Sequence, residues 1–123
     1  RKSLMTLSEK QRKFSKLLAE FILKIYDMGF EVTFGHAYRD AETQKRMVEA
    51  GLSKIMQSKH CDRLAIDLNL WVGNQYVTDP QAYRPLGELW EMLGGSWGGR
   101  FGVKTEEYNS KVGWDSNHFE WKG

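Results

Sequence analysis

The sequence of 123 residues has the length of one compact domain, and 41% of its residues are hydrophobic, which is enough to form a core. The net charge is only +2, with acids and bases interspersed, so nucleic acid is not an expected partner. A single cysteine excludes an intrachain disulfide and a Cys-rich zinc finger. No apolar run can span a membrane, and the first residues lack the apolar core of a signal peptide. We expect one domain, residues 1–123, that is monomeric and is not inserted in a membrane.

The N-terminal third predicts a long helix. Thr6-Leu7-Ser8-Glu9 has the pattern of a capping box, in which Thr6 caps the helix and Glu9 reaches back. Gly29 then ends the helix as a left-handed cap. The apolar residues between these ends recur at helical spacing and indicate a buried face: Phe14, Leu17, Leu18, Phe21, Ile22 and Ile25.

A strand and a second helix follow, and they flank a Tyr-Arg pair. Residues 30–34 alternate between apolar and polar, as in a half-buried strand. Asp40 can cap a helix over residues 41–50, which Gly51 closes. Arg39, between these elements, can present its guanidinium to a site. The alternative is a surface arginine that pairs with Asp40 or Glu42.

The second half predicts a hairpin, a helix and a closing strand. Residues 64–72 form a strand run that can turn at Gly73-Asn74-Gln75 into a hairpin with residues 76–77. Asp79-Pro80 indicates the next helix start, with its regular part over residues 85–93. We expect a glycine-aromatic loop at 94–102, an exposed loop at 103–113 and a last strand at 118–121.

The order of elements predicts an α+β fold with a small antiparallel sheet and helices packed on one side. The glycine-aromatic loop lacks both the spacing and the strand-helix context of a phosphate loop, so nucleotide binding is rejected.

A candidate metal site comes from His60, Asp67 and His118. Asp67 lies in an apolar strand run, where a carboxylate is costly to bury unless a positive charge neutralises it. Two imidazoles and one carboxylate with an open position are the ligand set of a catalytic zinc site. Asp115 precedes His118 by three residues and can act as a base. The alternative is a loop histidine, a solvent-facing aspartate and a structural histidine.

These residues carry a resemblance. Ser58-x-His60 with Leu64-Ala65-Ile66-Asp67-Leu68, and Asp115-x-x-His118-Phe119-Glu120, resemble the two signatures of the zinc D-alanyl-D-alanine carboxypeptidase and L-alanyl-D-glutamate endopeptidase family. Tyr38-Arg39 followed by Gln44 resembles that family's upstream signature, and residues 94–99 resemble a stretch in its phage endolysin members, the VanY-like branch. The resemblance extends from about Val32 to Trp121.

The resemblance implies a LAS or hedgehog-like peptidase fold with one zinc ion at the sheet. It implies that His60, Asp67 and His118 bind zinc and that Asp115 is the catalytic base, where the carboxypeptidase branch tends to have Glu. It also implies that Arg39 stabilises an oxyanion or binds a peptide carboxylate. Further implied contacts to substrate come from Tyr38, Gln44 and Ser58, and Ser58 can instead order the ligand loop.

Five positions near the signatures have less defined roles. The family often has Gly where Arg63 stands and Pro where Asn117 stands, which bears on specificity rather than on metal binding. Cys61 is expected to point away from the site. His36 either lines the cleft or is structural, and Glu120 either supports a ligand imidazole or is solvated.

The implied function is hydrolysis of peptide bonds in the peptidoglycan stem peptide. An L-alanyl-D-glutamate endopeptidase of a phage or prophage lysis system, an endolysin active in bacteriolysis, is the leading interpretation. A D-alanyl-D-alanine carboxypeptidase and a non-catalytic cell-wall-binding module are the alternatives. We expect synthesis in the host cytoplasm and action at the cell wall or periplasm.

Overall fold

The central strand β2 organises the fold. The computed structural model describes residues 4–54 and 58–123, so part of the connection before His60 lies outside the described residues. The helices and strands are α1 (Leu7–Asp27), β1 (Glu31–Phe34), α2 (Ala41–Glu49), β2 (Ala65–Val72), β3 (Gln75–Val77), α3 (Arg84–Met92), β4 (Ser96–Trp97) and β5 (His118–Glu120).

All pairings in the sheet are antiparallel. β1 pairs with one edge of β2, and the other edge pairs with β5 at its start and with β3 at its end. β4 continues the sheet beyond β5. The turn between β2 and β3 has positive φ at Gly73 and Asn74, as a tight hairpin turn requires.

The two faces of β2 have different environments because side chains alternate along a strand. The even-numbered residues of β2 face the helices, and Leu64, just before the strand, lies on the same side. The leucine and isoleucine side chains of this side are almost fully buried: Leu64, Ile66, Leu68 and Leu70. Asp67 lies on the opposite face, which the helical core does not cover. β2 therefore separates the hydrophobic core from the polar site.

The helical layer consists of α1 and α3. Phe21 of α1 packs against Trp90 of α3, with ring centroids 4.9 Å apart, and against Phe119 of β5 at 5.0 Å. Burying aromatic side chains of this size contributes several kcal/mol to folding, at about 25 cal/mol per Å² of apolar surface. α2 supplies no residue to this core, and its one buried residue, Gln44, contacts Arg39.

The predicted helix ends are confirmed. Thr6 and Glu9 form both hydrogen bonds of the capping box. Asp40 accepts a hydrogen bond from the Thr43 backbone N–H and so caps α2. Gly29 and Gly51 have positive φ just beyond α1 and α2. These positions were readable from sequence because they depend on local backbone geometry.

The prediction of a glycine-aromatic loop over residues 94–102 is wrong in one segment. Ser96 and Trp97 form β4, and a turn of 3₁₀ helix follows at Gly98–Arg100. A two-residue strand has no periodicity that a sequence pattern can display. Trp97 is buried, its ring lies against Gly87, and its indole N–H donates to the Ser116 carbonyl. Tertiary packing therefore determines this strand.

A short 3₁₀ helix, Pro80–Tyr83, precedes α3, and another, Thr105–Glu107, lies in the predicted exposed loop. Within the described residues, no helix combines the length and apolarity needed to cross a membrane.

Candidate metal centre

Three side chains from distant parts of the chain converge on the open face of the sheet. His60 Nε2 lies 3.1 Å from Asp67 Oδ1 and 3.1 Å from His118 Nδ1. His118 Nδ1 lies 3.2 Å from Asp67 Oδ1, which closes a nearly equilateral triangle. Zinc bonds of about 2.1 Å in a tetrahedral arrangement separate ligand atoms by about 3.4 Å. The triangle therefore has nearly the size of one face of a zinc coordination tetrahedron.

The outer nitrogen of each imidazole has its own hydrogen-bond acceptor. His60 Nδ1 lies 3.2 Å from the Ala37 carbonyl oxygen, which can only accept, so this nitrogen carries the proton. His118 Nε2 lies 2.8 Å from Glu120 Oε1, and it donates to that carboxylate in the same way. When both imidazoles are neutral, the inner nitrogens, His60 Nε2 and His118 Nδ1, carry no proton.

This tautomer assignment fits a metal cation. Two bare nitrogens and a carboxylate oxygen face one another at hydrogen-bond distance, and three electron-rich atoms repel unless a positive charge lies among them. Outer hydrogen bonds that fix the tautomer are typical of histidines that bind metals. His60, Asp67 and His118 also form a group whose ligand atoms are mutually close enough to hold one ion.

The pKa values of these groups show how strongly the cluster favours positive charge. Burial alone raises the pKa of the Asp67 carboxyl, but hydrogen bonds from His118 and His60 outweigh burial and hold it well below its usual range. Burial lowers the pKa of His118, yet hydrogen bonds to Asp67 and Glu120 raise it to about 9. Either a proton on His118 or a metal ion can therefore supply the positive charge that the cluster favours.

Strand register explains why Asp67 and His118 meet. They are directly opposite each other on β2 and β5, so their side chains share a face. Glu120 lies two residues beyond His118 and shares that face as well, which places its carboxylate beside the imidazole. Gly35 lies on the other side of Asp67, and a Cβ there would be only 3.0 Å from the Asp67 Cβ.

His60 reaches the cluster from a turn at residues 58–63. The buried Ser58 hydroxyl accepts a hydrogen bond from the His60 backbone N–H at 3.1 Å, so Ser58 orders the ligand loop in addition to lining the cleft. Arg63 has a positive φ of 59°, a conformation that favours glycine and explains the Gly expected there by resemblance. Cys61 lies in this turn rather than in an extended segment, and the metal cluster of the described residues does not include it.

Arg39 is buried and contacts the cluster directly. Its Nη2 donates to Asp67 Oδ2 at 3.2 Å, and its Nη1 donates to Gln44 Oε1 at 3.0 Å. Its Nε donates to His36 Nδ1 at 2.6 Å. Burial and the nearby Arg39 charge lower the pKa of His36, which keeps that imidazole neutral. The surface alternative, an ion pair with Asp40 or Glu42, is wrong because Arg39 pairs with Asp67.

Asp115 lies beside the cluster at the wall of the cleft. Its Oδ2 is 3.9 Å from His118 Nδ1, and its backbone carbonyl accepts the His118 N–H at 3.1 Å. Burial raises the pKa of the Asp115 carboxyl, which the attraction of His118 only partly offsets. A carboxylate with a raised pKa is a better proton acceptor near neutral pH.

Two of the residues expected to contact substrate lie outside the cleft lining. Tyr38 is exposed, and its ring packs under the Arg63 guanidinium at 4.1 Å. Gln44 has 0% exposure and acts through its hydrogen bond to Arg39. Asn117, where the family often has Pro, donates to Asn69 Oδ1 at 3.2 Å and so ties β5 to β2.

Sequence reasoning missed part of the cleft wall. The cleft beside the metal cluster is also lined by Leu52, Ser53, Lys54, Phe101 and Trp114. Phe101 packs on the His118 ring, with centroids 5.6 Å apart. Trp114 is 55% exposed. Its position next to Asp115, the predicted base, was the one signal available in the sequence.

A family profile described as D-alanyl-D-alanine carboxypeptidase matches residues 52–121, which are more than half of the chain and include His60, Asp67, Asp115 and His118. The chain belongs to the D-alanyl-D-alanine carboxypeptidase family. The expected family is thereby confirmed, and with it the enzyme class: these proteins are zinc hydrolases that act on peptidoglycan.

Solved structures agree with this peptidase fold. The L-Ala D-Glu endopeptidase ChiX of Serratia marcescens is similar with a TM-score of 0.61 and 19% identity, over 91% of this chain and 77% of that one. A mutant of the vancomycin resistance D,D-pentapeptidase VanY from a VanB-type resistance cassette, in complex with Zn(II), has a TM-score of 0.64 and 19% identity, over 90% and 71%. No curated protein sequence matched the chain closely enough to count as a relative. The α+β fold with a small antiparallel sheet is confirmed.

Proposed function

We propose that this peptidase is an endopeptidase that hydrolyses the L-alanyl-D-glutamate bond of the peptidoglycan stem peptide. The observation that carries the proposal is the convergence of His60, Asp67 and His118 next to Asp115 in an open cleft. The arrangement provides a metal-binding face, a base and a space for substrate side by side. We propose that each chain holds one zinc ion, bound by His60 Nε2, Asp67 Oδ1 and His118 Nδ1.

The chain's own residues then have defined tasks. Zinc held by His60, Asp67 and His118 would act as a Lewis acid and would lower the pKa of the attacking water toward ~7. Asp115 takes the proton from the attacking water and passes it to the leaving amine. Arg39 holds Asp67 in place through Nη2, and because it also lines the cleft, we assign to it the stabilisation of the charge that develops on the scissile carbonyl oxygen.

The choice of bond rests on Asp115. The carboxypeptidase branch of the resemblance tends to have Glu at this position, and the shorter Asp favours the endopeptidase branch. ChiX, an L-Ala D-Glu endopeptidase, shares the fold. We also propose that the enzyme is a monomer that belongs to a phage or prophage lysis system, is made in the host cytoplasm and acts at the cell wall or periplasm.

A D-alanyl-D-alanine carboxypeptidase is the second candidate, because the matching family profile carries that description and VanY shares the fold. A wall-binding module without turnover is disfavoured, since a binder needs neither Asp115 next to the cluster nor an arginine on a ligand carboxylate.

Digestion of purified muropeptides, followed by mass spectrometry, tests the proposal. An endopeptidase produces fragments that begin with D-glutamate, whereas a carboxypeptidase releases only terminal D-alanine. A chelator should stop the reaction, and added zinc should restore it. Unchanged muropeptides at stoichiometric zinc would support the binding module and reject the peptidase.

A further inference from the structure

Lys54 and Trp114 meet at the wall of the cleft. The Lys54 Nζ lies 5.2 Å from the centroid of the Trp114 ring, within the range of a cation–π contact. Both residues line the same cleft as His60, His118 and Asp115. The contact joins the segment before His60 to the segment before Asp115, and it holds an ammonium group at the rim of the site.

The two basic side chains that line the cleft differ in whether they form an ion pair. Of the lysines and arginines in residues 4–54 and 58–123, only Arg39 and Lys54 line the cleft. Arg39 is almost fully buried and pairs with Asp67. Lys54 is exposed and forms no ion pair with any described residue. Lys54 is therefore the cleft cation whose charge no described carboxylate neutralises.

The neighbours of Lys54 restrict the kind of ligand. Leu52, Phe101 and Trp114 give the wall apolar surface beside the ammonium group. Asp115 and Glu120 give the cleft negative charge next to the metal cluster, which repels an anion placed there. A ligand that fits this pattern presents a carboxylate to Lys54 and apolar surface to Leu52, Phe101 and Trp114.

We propose that Lys54 binds the free α-carboxylate of the D-glutamyl residue and so selects stem peptides in which this group is not amidated. This inference rests on the proposed function. In the stem peptide the chain continues through the side-chain carboxyl of D-glutamate, which leaves the α-carboxylate free. That carboxylate is attached to the same carbon as the nitrogen released on cleavage, so it lies close to the scissile bond.

The test compares two soluble stem peptides that differ at one group, D-glutamate in one and D-isoglutamine in the other. The proteins are the zinc-loaded wild type and the Lys54→Met, Lys54→Arg and Lys16→Met variants. Methionine retains a chain of similar length without the charge, and arginine retains the charge. Lys16 is an exposed residue of α1, in the helical layer behind the sheet, and provides the matched control.

The wild type should prefer the acid peptide about tenfold in kcat/KM, the size expected for one charge-assisted contact in a partly exposed cleft. Lys54→Met should lose that preference through a higher KM for the acid peptide alone. Lys54→Arg should keep most of the preference, and Lys16→Met should match the wild type. The proposal is overturned if the wild type has equal kcat/KM for the two peptides. It is also overturned if Lys54→Met lowers kcat/KM for both peptides by the same factor.

Binding separates this proposal from the proposed function. Calorimetry with the zinc-loaded Asp115→Ala protein measures the affinity of both peptides without turnover, with and without Lys54→Met. A preference for the acid peptide that depends on Lys54 supports the inference even if muropeptide digestion shows a carboxypeptidase. Equal affinities for the two peptides reject it even if the endopeptidase activity is confirmed.

Discussion

Asp67 and His118 are register partners of β2 and β5, and the adjacent pair, Ile66 and Phe119, points to the opposite face. One strand pair therefore builds both the metal cluster and the centre of the hydrophobic core. A slip of β5 by one residue against β2 would turn His118 toward the core and Phe119 toward the metal cluster, while Asp67 stayed in place. Packing of Ile66 and Phe119, which are both almost fully buried, thus holds the two ligands in register.

Glu120→Ala should weaken zinc binding by roughly 10–100-fold, because His118 Nε2 loses the carboxylate that fixes its tautomer and orientation. Competition with a chromophoric chelator measures this affinity. Glu106→Ala, at an exposed position of the loop before β5, is the control and should bind zinc as the wild type does. An unchanged affinity in Glu120→Ala would show that the Glu120 carboxylate does not support the ligand.

The residues of the cluster could be predicted from the sequence because few residue types can bind a metal ion. A carboxylate inside an apolar strand run needs a positive partner, and only three histidines were available to provide metal ligands with it. The helix caps at Thr6, Asp40 and Gly29 were also predictable, since each depends on a few neighbouring residues.

The contacts that support the cluster were not predictable from local patterns. The His60 Nδ1 proton is accepted by the backbone carbonyl of Ala37. Every residue has such a carbonyl, so the residue type at position 37 does not indicate this contact. Arg39 pairs with a residue 28 positions away rather than with its neighbours Asp40 and Glu42. The Lys54–Trp114 contact likewise joins segments that only the folded chain brings together.

Asp115→Ala should lower the rate of peptide hydrolysis by roughly 10²–10⁴-fold while zinc stays bound, because Asp115 is the base and not a ligand. Hydrolysis of muropeptides and metal analysis of the same samples measure the two effects. His118→Ala is the contrasting variant and should lose zinc, since it removes one corner of the triangle. Full activity of Asp115→Ala would remove this residue from the mechanism.

Arg39→Ala should reduce the free energy of unfolding by on the order of 2 kcal/mol in the metal-free protein, because Asp67 Oδ2 and the buried Gln44 Oε1 both lose their donor. The loss should be smaller in the zinc-loaded protein, where the ion also neutralises Asp67. Urea denaturation with and without zinc measures both values. Arg46→Ala removes an exposed ion pair with Glu42 and should cost at most about 0.5 kcal/mol. An equal loss for the two variants would contradict a structural role for Arg39.

Gly98→Ala should reduce zinc binding and stability together. A Cβ at Gly98 would collide with the backbone carbonyl oxygen of Asp115 and would lie 2.8 Å from the His118 Cβ. The Asp115 carbonyl accepts the His118 backbone N–H, so a shift of this carbonyl displaces both the base and a ligand. Metal analysis and thermal unfolding of the variant measure the two effects.

Gly102→Ala separates this collision from a general effect of removing glycine in the same loop. Gly102 has a positive φ of 74° and open space around its Cβ position, so alanine there strains the backbone but touches nothing. It should cost about 1 kcal/mol of stability and leave zinc binding intact. If Gly98→Ala binds zinc as tightly as Gly102→Ala, the loop can move away from Asp115, and close contact at Gly98 is not what positions the base and His118.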